Sequence, residues 1–131
     1  MSADYPSMTT AEIRSKFLNF FEERGLKLYP SSSLVPDDPS LLLANAGMNQ
    51  FKEYYQGKKT MKEIGAISCQ KCVRTNDIDC IGEDGRHLSF FEMLGDFSFG
   101  GVSKQQACAW AFELITKEFK LPLDRLYFTV F

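Results

Sequence analysis

The sequence predicts an α+β domain in which helices flank an antiparallel β-sheet. Apolar residues recur at helical spacing near both ends of the 131-residue chain, and the centre holds two β-rich runs separated by a turn-rich loop. No internal repeat or low-complexity tract interrupts this order. The length suits one domain, or part of one, with room for a hydrophobic core.

Composition narrows the class of protein. With 44% hydrophobic residues, 24% charged residues and a formal net charge of −2, the chain has the make-up of a globular domain rather than a disordered tail. It lacks the strong positive charge that nucleic-acid binding alone would produce, so we expect any RNA contact to be slight here or to lie mainly elsewhere. No apolar run approaches the ~20 residues of a membrane helix. MSADYPSMTT is not a signal-peptide pattern, so we expect a cytoplasmic protein with four reduced cysteines.

The first helix is predicted over residues 10–24. Thr9 and Glu12 have the spacing of a capping box at its start, and Gly25 is suited to its end. The apolar residues at helical spacing are Ile13, Phe17, Phe20 and Phe21. A short strand is expected from Leu26 to Tyr29.

The next segment is predicted to be mostly irregular. Residues 30–39 contain three prolines and three serines and should form a loop. After it we expect, in order, a buried strand over 41–43, a turn over 45–47, a short helix over 49–56 ending at Gly57, and a charged connector over 58–63.

A β-hairpin is predicted at the centre, with strands over 66–74 and 86–94 and a loop over 75–85. Ser103 should cap a long helix that Pro122 ends. The residues expected on its apolar face are Ala107, Trp110, Ala111, Leu114 and Ile115. The alternating pattern of residues 126–131 predicts a strand. An apolar strand with an unpaired edge is unfavourable, so we expect the chain to continue in a longer parent protein.

Alternation along the hairpin brings functional side chains together. On the first strand Ser68, Gln70, Cys72 and Arg74 should share one face, and on the return strand His87, Ser89, Phe91 and Met93 should share one. If these faces coincide, Arg74, Phe91 and His87 meet on one open patch. A guanidinium can grip phosphate bidentately, a ring can stack on a base, and Arg86 can supply a second cation. The pattern alone leaves open a surface arginine beside a core phenylalanine.

The cysteine and glycine motifs are weaker evidence for a functional site than the hairpin. Cys69 and Cys72 match C-x-x-C, but residues three apart on a strand face opposite ways, so we expect no zinc site there. Cys80 and Cys108 are isolated, and each cysteine is better explained as a small hydrophobe. Residues 95–101 lack the spacing of a phosphate-binding loop, and we expect a tight chain reversal with two core phenylalanines.

Taken together in order and spacing, several strings resemble the N-terminal region of the alanyl-tRNA synthetases. The strings are Ser31-Ser-Ser-Leu-Val-Pro36, Asp38-Pro39 with Leu41-Leu-Leu43, Asn45-Ala-Gly-Met48 with Gln50-Phe-Lys52, Gln70-Lys-Cys-Val-Arg74, Arg86-His87, Phe90-Phe-Glu-Met-Leu-Gly95 and Phe97-Ser-Phe-Gly100. The resemblance runs from about Thr10 to Phe131. Many relatives carry a longer loop with Gly-Gly-Lys-His where this chain continues directly as Arg74-Thr-Asn-Asp77.

The resemblance implies an incomplete class II synthetase fold, with motifs 1 and 2 inside residues 1–131 and motif 3 beyond them. By analogy Arg74 contacts the α-phosphate of ATP and the alanine carboxylate, and Phe91 stacks on adenine. Arg86 and His87 lie where motif 2 reaches towards ATP, and Met48 would line the adenylate pocket.

The implied function is that of an alanine–tRNA ligase, which uses ATP with Mg²⁺ to form alanyl adenylate and then charges tRNA(Ala). We expect tRNA contacts and any zinc site to lie in regions outside this chain, and residues 1–131 alone to be inactive. The alternative is a non-catalytic, synthetase-like module that binds a nucleotide or a partner.

Overall fold

The computed structural model describes residues 7–76 and 78–129, and over these it confirms the α+β prediction. Helices flank a three-stranded mixed sheet. The main elements are α1 (Thr10–Glu22), β1 (Lys27–Leu28), α2 (Lys52–Tyr55), β2 (Gly65–Val73), β3 (Phe90–Ser98) and α3 (Lys104–Glu113). Shorter turns of 3₁₀-helix span Asn49–Phe51, Ile78–Cys80 and Leu123–Arg125, and a π-helical turn at Leu114–Glu118 continues α3.

The sheet has the order β1-β2-β3 in the described residues. β2 and β3 are antiparallel, with a register that runs from Gly65 opposite Ser98 to Val73 opposite Phe90. β1 instead pairs with β2 in parallel, so the expectation of a purely antiparallel sheet was wrong for this strand. The connection over residues 29–64 is long enough to return the chain to the same end of the sheet, as parallel pairing requires.

The ends of α1 follow the predicted capping chemistry. The Thr9 Oγ1 atom accepts a hydrogen bond from the Glu12 amide at 3.2 Å, and the Glu12 carboxylate accepts from the Thr9 amide at 2.7 Å. At the other end Gly25 has a φ of 87°, and the Leu26 amide donates to the Phe21 carbonyl at 3.1 Å. This is the Schellman pattern, which satisfies carbonyls that the helix leaves unpaired.

The hydrophobic core lies between α1, the sheet and the end of α3. Its buried members are Phe17, Phe20, Phe21, Leu26, Ile67 and Leu114. Trp110 packs against them from α3, with its ring centroid 6.3 Å from that of Phe21. Ala107 and Ala111 are exposed, so the predicted apolar face of α3 is only partly buried. This core holds α1 against one face of the sheet and leaves the other face for the segment that follows β1.

The return strand lies further along the chain than the sequence predicted. It begins at Phe90 rather than at Arg86 and continues through Ser98, past the predicted end at Leu94. The backbone amides of Arg86 and His87 donate to the Asp84 carboxylate at 2.9 and 3.0 Å, so a local turn satisfies them instead of a strand ladder. The reversal expected over 95–101 therefore starts only after Ser98, where Gly100 has a φ of 99°.

Two other predicted strands are absent from the described residues. Residues 41–43 form an irregular segment with bends at 42 and 43, and Leu42 is 93% exposed. Their neighbour Ala44 pairs with Val73 through one backbone bond, which is too little for a ladder. Residues 126–129 have no strand structure and Tyr127 is 93% exposed, while 130–131 lie outside the described residues.

The remaining predictions for local structure are largely confirmed. A loop covers 30–39, the short helical segment ends before Gly57 with its φ of 70°, and Ser103 caps α3 by accepting from the Gln106 amide at 3.2 Å. Pro122 does not end that helix, because the chain has already turned at Lys120, which has a φ of 52°. Within the described part of the chain, no helix has the length and hydropathy needed to cross a membrane.

A substitution at Gly101 tests how tightly the chain reversal packs on Ile64, the residue before β2. A Cβ atom at this position would lie 2.6 Å from the Ile64 Cα atom, so backbone would have to move. We expect Gly101→Ala to lower the free energy of unfolding by about 3 kcal/mol, near the upper end for overpacking, as measured by urea denaturation.

Gly82→Ala is the matched control. Gly82 has a φ of 90° but nothing within 4 Å of an added Cβ atom, so only backbone strain is introduced. We expect a loss of about 1 kcal/mol. Equal losses for the two variants would contradict the close packing of Gly101 on Ile64.

Candidate functional site

The register of β2 and β3 decides which side chains share a face. Cys72 lies opposite Phe91, and Gln70 lies opposite Met93. Directly opposed residues of an antiparallel pair point to the same side, so these four side chains share one face. The predicted alternation on β2 and the placement of Phe91 and Met93 on its polar side are therefore confirmed.

Most of this face is covered rather than open. Gln70 is 1% exposed and Cys72 is fully buried. The chain after β1 crosses over them, and Gly47 lies so close that its amide is 3.2 Å from the Met93 Sδ atom. A Cβ atom on Gly47 would be only 3.2 Å from the ring of Phe97. We refer to residues 30–51 as the strap; it leaves Phe91, Met93 and Phe97 of β3 partly exposed on this face.

Arg74 follows β2 directly and is held in place on two sides. Its backbone amide donates to the Ser89 carbonyl at 2.9 Å, and its Nε atom donates to the Asn45 carbonyl of the strap at 2.9 Å. The guanidinium carbon lies 5.4 Å from the centroid of the Phe91 ring. Both side chains are half-buried. The two terminal nitrogens of Arg74 make no hydrogen bond to the described residues. Because the guanidinium is already held in place, these nitrogens can donate hydrogen bonds to a ligand.

Arg86 and His87 lie in the exposed loop before β3, not on the strand face with Phe91. Besides the two backbone bonds, the Asp84 carboxylate lies 2.5 Å from the His87 Nδ1 atom. These three contacts, the backbone ones first, lower the pKa of Asp84 to about 2. The strand geometry predicted for His87 was wrong. The loop instead orients its ring through Asp84.

Met48 belongs to the strap and is 47% exposed. It precedes the 3₁₀ turn Asn49–Phe51 and follows the close contact at Gly47. Its segment therefore also carries the Asn45 carbonyl that receives Arg74. Met48 therefore lies three residues from Asn45 in the strap, and the sequence identified it by resemblance alone.

The two thiols of the C-x-x-C string face opposite sides of β2. Cys72 is buried under the strap, whereas Cys69 lies beside the Arg14–Glu92 ion pair on the other face. Burial raises the pKa of both thiols. Across residues 7–76 and 78–129, no group of three or more His, Cys, Asp or Glu side chains could hold a metal ion.

A cleft of about 560 Å³ lies between the first part of the strap and α2. Its walls include Lys52 and Asp38, which form an ion pair at 2.5 Å, and the hydrogen bond from Lys52 lowers the pKa of Asp38 well below its usual value. Arg74, Phe91 and Met48 do not line it. Size alone does not make this cleft the functional site, and two of its charged groups, Lys52 and Asp38, are already paired with each other.

Sequence reasoning missed two groups at the site. The Asn45 carbonyl that orients Arg74 is a backbone atom, and no residue pattern signals it. Gln70 was placed on the correct face, but its complete burial and its hydrogen bonds to the strap were not foreseen. A glutamine between buried neighbours on a strand was the only available signal.

Comparison with known proteins identifies a family and several relatives for this chain. Residues 12–131 match the family model for class II (A) tRNA synthetases. The chain is 56% identical over 119 residues to a chloroplastic/mitochondrial alanine–tRNA ligase of Sorghum bicolor, covering 91% of this chain and 12% of that protein. It is 51% identical over 131 residues to the alanine–tRNA ligase of a Synechocystis species, covering 100% of this chain and 15% of that protein.

A third relative is the alanine–tRNA ligase of Pseudothermotoga lettingae, 52% identical over 124 residues, with 95% of this chain and 14% of that protein covered. The chain thus spans only 12–15% of the length of these three relatives. The match to the family model nevertheless covers nearly the whole chain. By that match the chain belongs to the class II (A) tRNA synthetase family.

Proposed function

We propose that this chain is the N-terminal part of the aminoacylation domain of an alanine–tRNA ligase, carrying motifs 1 and 2. The observation that carries the proposal is the anchored Arg74 guanidinium beside the half-buried Phe91 ring, where β2 ends. The names of the related proteins specify alanine as the amino acid. In this proposal the complete parent protein performs the reaction and this chain supplies its ATP-facing half.

Arg74 is the proposed catalytic residue. Its Nε atom is occupied by the Asn45 carbonyl, which fixes the plane of the guanidinium. The two terminal nitrogens then form a fork suited to two oxygens of the α-phosphate or of the alanine carboxylate. Because negative charge builds at the α-phosphate in the transition state, a positive group already in place stabilises that state without reorganising.

Phe91 is the proposed platform for adenine. Its ring is half-buried on the same face as Arg74, and the guanidinium lies within cation–π distance of it. Met48 would line the adenylate pocket from the strap. Arg86 and His87 are assigned to the outer phosphates, with Asp84 holding the His87 ring.

The proposed reaction has two steps. An oxygen of the alanine carboxylate attacks the α-phosphorus of ATP, the bond to the bridging oxygen breaks, and pyrophosphate leaves. A hydroxyl of the terminal ribose of tRNA(Ala) then attacks the alanyl carbonyl, and AMP leaves. Mg²⁺ would accompany ATP, but the described residues offer no ligand cluster for it, so we assign none of them to the ion.

Other partners lie mainly outside this chain in the proposal. The acidic balance of the chain gives little basis for an extensive tRNA surface, so tRNA(Ala) would bind chiefly to the rest of the parent. A zinc site is likewise assigned only to regions outside the chain. We place the reaction in the cytoplasm, with an organelle as the alternative, since some relatives are named chloroplastic/mitochondrial.

Arg74→Ala in the longer parent tests the catalytic assignment. We expect alanine-dependent exchange of pyrophosphate into ATP to fall by ~10²-fold or more, the scale for losing one preorganised electrostatic contact. Lys71→Ala is the control, because Lys71 is exposed on the opposite face of β2. A loss of less than a few-fold for Arg74→Ala would remove Arg74 from the mechanism. A wild-type parent without exchange would favour the non-catalytic module.

The Asp84 carboxylate gives a pH test of the loop that holds His87. Its pKa is about 2 in the folded chain against an ordinary 3.8, so the contribution of the ionised form is present above pH 3.8 and is lost as the pH falls through about 2. We expect the ¹³C carboxyl signal of Asp84 and the amide signals of Arg86 and His87 to titrate together. A carboxyl midpoint near 3.8 would contradict these hydrogen bonds, and Asp84→Asn should abolish the shared titration of the amides.

A further inference from the structure

Gln70 is a fully buried polar side chain for which the proposed reaction has no direct use. Its Oε1 atom accepts from the Ser32 amide at 2.8 Å, the Ser32 hydroxyl at 3.1 Å and the Gln50 Nε2 atom at 3.2 Å. Its Nε2 atom donates to the Ser32 carbonyl at 3.2 Å and the Lys71 carbonyl at 2.8 Å. Both ends of the amide are therefore satisfied, which an apolar or a carboxylate side chain of similar size cannot reproduce.

Apart from the Lys71 carbonyl on β2, the partners of Gln70 lie near the two ends of the strap. Ser32 is close to its start and Gln50 is close to its end, so one side chain ties both to the sheet. Between these anchors the strap passes the end of β2, where the Ala44 carbonyl accepts from the Val73 amide at 2.9 Å. The next carbonyl, that of Asn45, is the one that receives Arg74 Nε. The backbone of the strap thus links the groups that bind Gln70 to the carbonyl that binds the Arg74 guanidinium.

Ser68, two residues earlier on the same strand face, provides a contrast. It is fully buried as well, but its hydroxyl has no hydrogen-bond partner among the described residues. Burial on this face therefore does not by itself produce a hydrogen-bond network. Four of the five bonds of Gln70 go to Ser32 and Gln50, which reflects its place beneath the two ends of the strap.

We propose that Gln70 is a positioning residue for the nucleotide site, holding the strap so that the Asn45 carbonyl aims the Arg74 guanidinium. This rests on the proposed function, because it assumes that Arg74 acts on the α-phosphate. Loss of the Gln70 bonds shifts the Asn45 carbonyl, and a displacement of about 1 Å in a catalytic group can cost ~10²-fold in rate. Phe91 keeps its own strand position, so adenine binding is affected less.

The test uses the longer parent with Gln70→Met, which keeps a long buried side chain but removes the five bonds. Pyrophosphate exchange is measured per active site, with sites counted by the burst of adenylate formation. We expect kcat to fall by ~10-fold or more and the KM for ATP to change by less than about 3-fold, because the loss is in orientation rather than in stacking. Ser68→Ala is the control and should leave both constants near the wild-type values.

The double variant Gln70→Met/Arg74→Ala separates positioning from general damage. If Gln70 acts through Arg74, the double variant is no more than about 2-fold slower than Arg74→Ala alone, since coupled residues are non-additive. Losses that multiply in an active parent overturn the role of Gln70 and leave the proposed function intact. A wild-type parent without exchange overturns both.

If Gln70→Met does not fold, the same comparison is made with Gln50→Ala, alone and combined with Arg74→Ala. Gln50 is half-buried and contributes only one of the five bonds, besides its own bond to the Pro30 carbonyl, so the fold should tolerate its loss. We expect a smaller decrease in kcat, about 3-fold, that disappears in the Arg74→Ala background. A decrease of the same size in both backgrounds, or no decrease in either, overturns the proposal.

Discussion

The antiparallel pairing of β2 with β3 is the constraint from which the rest of the site follows. Each strand contributes nine residues, and the ladder ends where Val73 faces Phe90. The Arg74 amide extends the pairing by donating to the Ser89 carbonyl, so the guanidinium leaves the sheet beside the Phe91 ring. A slip of one residue would turn Phe91 towards the hydrophobic core, because side chains alternate across a strand. Register therefore decides whether a cation and an aromatic ring meet on one face.

The two faces of the sheet are buried by different means. On the core side, aromatic residues of α1 and Leu114 cover Ile67 with apolar surface alone. On the other side the strap carries backbone groups that must be paired when water is removed, and Gln70 pairs several of them. This difference explains why Ile67 packs in an apolar core while the other face of β2 keeps a polar residue in a fully buried position. The strap paired in this way also carries the Asn45 carbonyl that receives Arg74.

Sequence patterns predicted features governed by local rules. The capping box at Thr9, the turn at Gly25 and the alternation that places Arg74 and Phe91 on one side of the sheet all depend on neighbouring residues. Features that depend on distant backbone groups were not predictable. The parallel pairing of β1 and the Asn45 carbonyl each depend on how separate segments meet. His87 was misplaced because the Asp84 carboxylate outcompetes strand pairing for its amide.

The most direct measurement is a crystal structure of the parent protein with ATP bound. We expect a terminal nitrogen of Arg74 to lie about 2.7–3.2 Å from an oxygen of the α-phosphate, with the adenine plane stacked on the Phe91 ring. The Nε atom of Arg74 should remain on the Asn45 carbonyl. An adenine bound away from Phe91, or an α-phosphate held by other residues while Arg74 points elsewhere, would contradict the site described here.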